Sequence, residues 1–282
     1  MTRPTLLALT VASLFAVALP APARAACTRT ELQTTVDAYL AAQKSGNPAS
    51  LPLASSAKYI ENTAATPPAR GILATPLKID FSRSLLDTAI CETFTEVIVT
   101  DKFHPYVLGV RGKVANGRLT ELETLVTDAD DWLFNADNYL KYSSSEDWGR
   151  IPAGARATRA ALIAAANAYF DVFNDSSVKV PWGTPCNRLE GGVRTGKGLP
   201  SDSCNVGVPA NGGMKLTDRR FIADPEIGAV VGFIRWPTTV PDSHVFRIEN
   251  GRIRFVHSLT VCTVPNCGFP KLAPAGAAPP PQ

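Results

Sequence analysis

Two of the chain's three histidines lie in a segment whose pairing can be predicted from its turn. Asn250-Gly251 separates two alternating runs and is a strong signal for a hairpin with a two-residue type I′ turn. Counting outward from that turn places His244 opposite His257, on the buried face that also carries Phe246 and Phe255. A pair of imidazoles so close has coupled titrations, and a neutral ring beside apolar neighbours can accept or donate a proton. The pair is the candidate acid/base group, although two satisfied core histidines would produce the same pattern.

Two carboxylates are candidates for a second catalytic group. Asp224 follows Arg220 by four residues, and we consider it as the group that orients a histidine. The same spacing recurs earlier in the chain, so an ion pair or backbone clamp that holds the fold together is the alternative. Glu190 shares strand parity with Arg188, and it either pairs with that arginine or projects into a pocket as a base.

Aromatic side chains supply the walls of the predicted site. Trp182 precedes Cys186, and a long Gly-rich stretch through Cys204 follows. A Cys186–Cys204 bridge would hold that stretch as a flap, although an irregular surface loop is equally compatible with its length. The predicted substrate-binding residues are Tyr59, Trp182, Arg188, Phe246 and Phe255.

No cofactor or metal motif accompanies these residues. The chain has no HExxH, GxSxG or CxxC motif, and two histidines with one carboxylate lack a third clear ligand. We therefore expect no cofactor and no metal, and a small hydrophobic or aromatic molecule as the partner. A non-catalytic binding or scaffold protein is the alternative, because a fold does not by itself imply an activity.

An internal duplication positions these candidates. Four landmarks recur in the same order at nearly constant separation, which indicates two divergent copies of one unit. The matched segments are 38–40 with 168–170, 59–61 with 188–190, 83–87 with 220–224, and 116–119 with 250–253.

Each copy begins with a helix and continues with short strands. Thr28 and Glu31 form a capping box, and Gly46 ends the first helix. Alternating segments then end in a hairpin, and this order favours an α+β class. We predict a signal peptide at 1–25, a first repeat with a connecting segment at 26–150, a second repeat at 151–268 and a disordered Ala/Pro tail at 269–282. Five aromatic residues in 128–150 should pack that segment across both repeats.

The first residues and the cysteines indicate export. An apolar run too short to span a bilayer precedes Ala23-Arg24-Ala25, as in a cleavable secretory signal, so we expect a secreted or periplasmic protein without a membrane anchor. The six cysteines favour disulfides, and we predict the pairs Cys27–Cys91, Cys186–Cys204 and Cys262–Cys267. The near balance of basic and acidic residues excludes the electrostatic footprint of nucleic-acid binding.

The repeated elements resemble the nuclear transport factor 2-like superfamily, which includes SnoaL-like polyketide cyclases, ketosteroid isomerase and scytalone dehydratase. The resemblance is carried by Asp37-Ala38-Tyr39-Leu40, the strand Tyr59–Asn62 and the Asn-Gly-Arg hairpins of both copies. It implies two conical α+β barrels, each with a pocket between sheet and helices that often serves cofactor-free proton transfer, cyclisation, dehydration or isomerisation. It transfers no catalytic residue, because catalytic positions differ between branches of the superfamily.

The chain from Cys27 to Cys262 also resembles a little-characterised family of secreted, mainly fungal, double-repeat proteins. The resembling strings are 180–186, 188–192, 242–244 and 257–260. Together, these observations predict an exported, cofactor-independent lyase, isomerase, dehydratase or cyclase that acts on a small hydrophobic or aromatic molecule.

Overall fold

Two similar helix-plus-sheet units follow one another along the chain. The computed structural model describes residues 27–208, 211–237 and 239–269, so the predicted signal peptide and the predicted tail beyond residue 269 lie outside the described residues. Each unit is a helix followed by a six-stranded sheet, and a further helix lies between the units. The α+β class and the tandem architecture are therefore confirmed.

The first unit begins with a helix that its sequence caps at both ends. Thr28 and Glu31 form the predicted capping box, and Gly46 ends the helix with a φ of 61°. Its sheet has the order β2-β1-β6-β5-β4-β3, in which only the β1–β6 pair is parallel. The elements are α1 (Arg29–Ser45), β1 (Leu53–Glu61), β2 (Ala64–Ala65), β3 (Phe81–Asp87), β4 (Glu92–Val99), β5 (Tyr106–Ala115) and β6 (Arg118–Thr127), with 3-10 turns at 48–50, 68–70 and 72–74.

The second unit repeats this topology after the connecting helix. Its sheet has the order β8-β7-β12-β11-β10-β9, and again only the pair equivalent to β1–β6 is parallel. The elements are α2 (Ala136–Ser143), α3 (Arg159–Val172), β7 (Trp182–Glu190), β8 (Val193–Arg194), β9 (Thr217–Asp224), β10 (Ala229–Arg235), β11 (Pro241–Glu249) and β12 (Arg252–Thr260), with 3-10 turns at 153–155 and 265–268.

Each sheet has one face against its own helix and the other face against the second sheet. The helix-side cores include Tyr39 in the first unit and Tyr169 in the second. Between the sheets a third cluster joins residues of both units, with Phe94 and Phe233 in edge contact at 5.9 Å between ring centroids. Burial of this shared apolar surface stabilises the contact between the units.

The connecting segment packs across both units, as its aromatic content predicts. Tyr139 of α2 is fully buried, donates a hydrogen bond to Glu96 of β4 and lies against His257 of β12. Trp148 stacks on Phe255 with ring centroids 6.0 Å apart. The three predicted disulfides are also confirmed.

The β11–β12 hairpin has the predicted turn but not the predicted pairing beyond it. Asn250 and Gly251 both have positive φ, at 50° and 71°, as a type I′ turn requires. The first two residue pairs match the count outward from the turn. Arg254 is then an extra residue in β12, because Arg247 pairs with Phe255. This is a β-bulge, and the first unit has a corresponding shift between Lys113 and Val114.

The bulge moves the two histidines to opposite faces of the sheet. His244 pairs with Ser258, and His257 pairs with Val245. Because side chains alternate along a strand, one extra residue reverses the face of every residue beyond it. The prediction that the two imidazoles oppose each other on one buried face is therefore wrong. His244 faces α3, whereas His257 lies between the two units.

Candidate functional site

Tyr169 of α3 is the centre of a buried group of side chains in the second unit. Its ring centroid lies 5.3 Å from that of His244, 5.0 Å from that of Phe246 and 5.7 Å from that of Trp182. Its hydroxyl oxygen lies 3.5 Å from Arg188 Nη1. Together with Asp242 and Glu190, described below, we call these residues the Tyr169 cluster.

His244 is held through one ring nitrogen by a buried carboxylate. Its Nδ1 lies 2.6 Å from Asp242 Oδ1, while Asp242 Oδ2 accepts hydrogen bonds from Trp236 Nε1 and from the hydroxyl of Thr260. Within the described chain, Nε2 of His244 makes no hydrogen bond. The carboxylate therefore orients the imidazole and leaves its second nitrogen available.

Charge favours the protonated form of this histidine. Burial of His244 opposes a positive charge, but the negative charge and hydrogen bond of Asp242 outweigh that effect, and Glu190 adds to it. The net result raises the pKa of His244 above its ordinary value. The protonated ring, in which Nε2–H is a donor, is therefore more favoured than in a free histidine, and this suits the role of general acid.

Arg188 and Glu190 complete the polar side of the cluster. Arg188 Nε lies 3.1 Å from Glu190 Oε1 in an ion pair, and Ser258 donates a 2.7 Å hydrogen bond to Glu190 Oε2. Of the two predicted alternatives for Glu190, the pairing with Arg188 is the one observed. Burial raises the pKa of Tyr169, so its phenol remains protonated and can donate a hydrogen bond.

A long loop covers this polar side. The Cys186–Cys204 disulfide ties the loop to β7, and Arg188 Nη2 donates to the backbone oxygen of Val206. The end of the loop docks on the end of α3, where Met214 N donates to Phe173 O. The loop, which we call the flap, is therefore held at both ends beside the Tyr169 cluster, and these contacts agree equally with an irregular surface loop.

His257 lies in a different environment, sealed between the units. Its Nδ1 is 3.0 Å from Glu96 Oε1, and its Nε2 is 2.7 Å from Glu146 Oε2. Burial lowers its pKa, but the carboxylates of Glu146 and Glu96 outweigh this and raise the pKa of His257 to about 9. With both nitrogens occupied and no exposed surface, His257 has no nitrogen left for a substrate.

Arg83 connects the same network to β3. It donates a 3.1 Å hydrogen bond to Glu96 Oε2, which also accepts from Ser143 Oγ. The equivalent arginine of the second unit, Arg220, pairs with Glu123, which occupies in β6 the position that His257 occupies in β12. The second unit therefore has His257 where the first unit has the carboxylate of Glu123. Glu96 pairs with both Arg83 and His257.

Asp224 was predicted to orient a histidine, and it contacts none. It pairs with Arg29 Nη1 at 2.9 Å and accepts the backbone N–H of Leu86, both in the first unit. Asp87 of the first unit makes the equivalent contacts with the second unit, pairing with Arg159 and accepting the N–H of Ala223. These aspartates form two related clamps between the units, which is the structural alternative considered for the recurring spacing.

Two other predicted residues also lie away from the Tyr169 cluster. Tyr59 is in the core of the first unit, where its hydroxyl donates to Glu61. Phe255 packs on Trp148 between the sheets, because the bulge at Arg254 turns it away from Phe246. His244, Glu190, Arg188, Trp182 and Phe246 are the predicted residues that the structure brings together.

The first unit has no comparable acid/base group at this place. Val110 occupies the position of His244, and a cavity of about 10 Å³ beside Tyr39 and Thr95 has room for one water. The second unit is therefore the copy that carries an acid/base side chain at this position.

Sequence reasoning missed Asp242 and the central role of Tyr169. The signal for Asp242 was present, because residues two apart in a strand share a face, so Asp242 and His244 had to be neighbours. Tyr169 was visible only as part of the apolar stripe of α3, and its hydroxyl contact depends on β7.

The described residues contain neither a group of metal-ligating side chains nor a membrane-spanning helix. Across residues 27–208, 211–237 and 239–269, no three His, Cys, Asp or Glu side chains gather as metal ligands. No helix in the same residues is both long and apolar enough to cross a membrane.

Comparison with known proteins relates the second unit to a described family. A family model, the domain of unknown function DUF8021, matches residues 155–260. The crystal structure of an NTF-2 like protein of unknown function from Burkholderia xenovorans LB400 is similar, with a TM-score of 0.30 and 12% identity over 42% of this chain and 96% of that chain. No curated protein matches the chain.

Proposed function

We propose that the second unit is a cofactor-independent acid/base site for a small hydrophobic or aromatic molecule, with His244 as the proton donor. The observation that carries this proposal is the buried Asp242–His244 pair, whose free Nε2 lies among aromatic rings. A lyase, isomerase, dehydratase or cyclase reaction fits, because each needs a proton delivered at a defined atom.

Each residue of the Tyr169 cluster has a role in this proposal. Asp242 is a positioning residue that orients His244 and raises its pKa. The phenol of Tyr169 donates a hydrogen bond to a polar atom of the substrate, and Trp182 and Phe246 form apolar walls. The Arg188–Glu190 pair holds the polar side of the site.

Entry of a substrate requires the flap to move. His244 and Tyr169 are 2% and 0% exposed, so the cluster is closed to solvent in this structure. The flap carries exposed apolar side chains, Leu199 and Val206, and its segment around Val206 is joined to Arg188 by one hydrogen bond. We propose that lifting of this segment admits the molecule and that its return excludes water.

Export to an oxidising compartment is part of the same proposal. Three disulfides are consistent with such a compartment, because thiols inside most cells are kept reduced. In this proposal, the predicted signal peptide directs export to that compartment.

The test begins with a molecule retained by the purified protein and identified by mass spectrometry. Turnover of that molecule, or of close analogues, is then compared between the wild type and H244Q. We expect kcat to fall by at least about 100-fold, as for loss of a general acid, with little change in binding. H104Q is the matched control, because His104 is exposed and remote from the cluster. Unchanged turnover in H244Q contradicts the assignment.

A non-catalytic binding or scaffold protein is the second candidate. The packing inside the second unit favours it, because Tyr169 also lies 5.8 Å from Phe170 and 5.4 Å from Phe173 between ring centroids. A retained molecule that is bound but never converted supports this candidate.

A further inference from the structure

A polar groove lies at the surface near the connecting segment, away from the Tyr169 cluster. Its volume is about 380 Å³, which is within the range of small-molecule sites. Three parts of the chain meet there: the segment after α2, strand β8 and the β11–β12 hairpin. The lining residues are Ser145, Glu146, Asp147, Arg194, Glu249, Arg254 and Phe255.

The acidic groups of the groove are engaged within the protein. Glu146 Oε2 accepts from Trp148 Nε1 at 3.0 Å and contacts the charged ring of His257. Asp147 accepts the backbone N–H of Gly149, and Glu249 accepts from Arg247 Nε. These hydrogen bonds and ion pairs neutralise part of the negative charge that faces the groove.

The hydroxyl of the groove is engaged as well. Ser145 Oγ donates its proton to the backbone oxygen of Tyr142 at 2.8 Å. The donors still available are therefore on the two arginines.

Each arginine has a buried nitrogen without an acceptor. Nε of Arg194 and Nη1 of Arg254 are both shielded from solvent, and neither donates a hydrogen bond to a described residue. Buried, unpaired donors of a charged group are unfavourable, and a turn of either side chain toward an acceptor in the groove relieves that cost.

Aromatic rings hold both guanidinium groups in place. The guanidinium carbon of Arg254 lies 4.3 Å from the ring centroid of Phe255, and that of Arg194 lies 5.3 Å from the ring centroid of Tyr142. Arg254 is the extra residue of the bulge in β12. Bulges often redirect a side chain toward a functional site, and this one leads to an arginine in the groove.

We propose that this groove binds a small anion bearing a carboxylate or phosphate group, with Arg194 and Arg254 as its charged donors. The planar guanidinium group presents parallel N–H donors that match two oxygens of a carboxylate or a phosphate, and it forms charge-assisted hydrogen bonds with them. Phe255 supplies an apolar wall beside the anion. The groove is independent of the proposed acid/base chemistry, because Phe255 lies on the sheet face opposite to His244.

The test is an NMR titration of the arginine Nε–Hε signals in the full-length oxidised protein. Sodium benzoate and inorganic phosphate are the two probes, with sodium chloride at matched ionic strength as the reference. We expect saturable shifts of the Arg194 and Arg254 signals with at least one probe. Saturation by benzoate alone identifies a carboxylate site, and saturation by phosphate alone identifies a phosphate site.

Variants decide whether the two arginines are responsible. R254Q and R194Q should each weaken binding by about tenfold or more, the effect of losing one charge-assisted hydrogen bond. R252Q is the matched control, because Arg252 lies on the same hairpin and is exposed. R194Q serves as the deciding variant if R254Q fails to fold. No saturable shift with either probe, or equal weakening by R252Q, overturns the proposal.

Discussion

Replacement of His257 by glutamine tests the charged network that joins the two units. The imidazolium bridges Glu96 of the first unit and Glu146 of the connecting segment, with Arg83 and Tyr139 also bonded to Glu96. Glutamine carries no charge and cannot donate from both sides of a ring. H257Q therefore leaves Glu146 without its cation.

The magnitude follows from the pKa of His257. A folded-state value of about 9 against an ordinary value of 6.5 corresponds to about 3 kcal/mol, because each pKa unit is worth about 1.4 kcal/mol. Since the folded pKa is raised, this stabilisation is fully present below pH 6.5. It is lost as the pH rises through about 9. His257 is fully buried, so solvent screening does not reduce the effect.

The assay is urea unfolding of the oxidised protein at a series of pH values between the two pKa values. We expect the free energy of unfolding of the wild type to fall by about 3 kcal/mol relative to H257Q over this range. H104Q should follow the wild type, because His104 is exposed. Parallel curves for the wild type and H257Q refute the reasoning, as does an NMR spectrum in which His257 is neutral at pH 7.5.

Two further predictions concern the clamp and the flap. D224A should lower the free energy of unfolding by about 3 kcal/mol, measured with urea, because it leaves the buried N–H of Leu86 without its acceptor and Arg29 with Glu226 as its remaining carboxylate; a change within error contradicts the clamp. Replacing Cys186 and Cys204 together by alanine should cost about 3 kcal/mol and speed amide hydrogen exchange in the flap; unchanged exchange there would show that the disulfide does not restrain it.

Much of the local structure could be predicted from the chain alone. The capping box at Thr28 and the type I′ turn at Asn250 follow from short-range signals, and the structure confirms them. The three cysteine pairs were favoured because each stays within one repeat or closes one loop, and the structure confirms them as well. Each signal acts over a few residues or stays within one repeat, so it needs no knowledge of the distant chain.

The candidate site could be predicted only in part. His244, Glu190 and Trp182 come together because they lie on one face of a sheet that the repeated pattern already indicated. The proximity of Asp242 to His244 could have been predicted from strand parity, because the two residues are two apart in one strand. The prediction that His257 opposes His244 was wrong for a single reason, which is the bulge at Arg254.

By itself, the sequence determined the repeated helix-plus-sheet unit and the turn of each hairpin, because these depend on local spacing. It favoured the three cysteine pairs without settling their connectivity, which the structure decided. Only the tertiary structure decided which face each side chain beyond Arg254 occupies. Because side chains alternate along a strand, one extra residue moves every later side chain to the other face of the sheet. The position of the extra residue depends on how β12 pairs with both β7 and β11. Only the tertiary structure also brought Glu96 to His257 from the other unit, because packing between sheets leaves no short-range pattern.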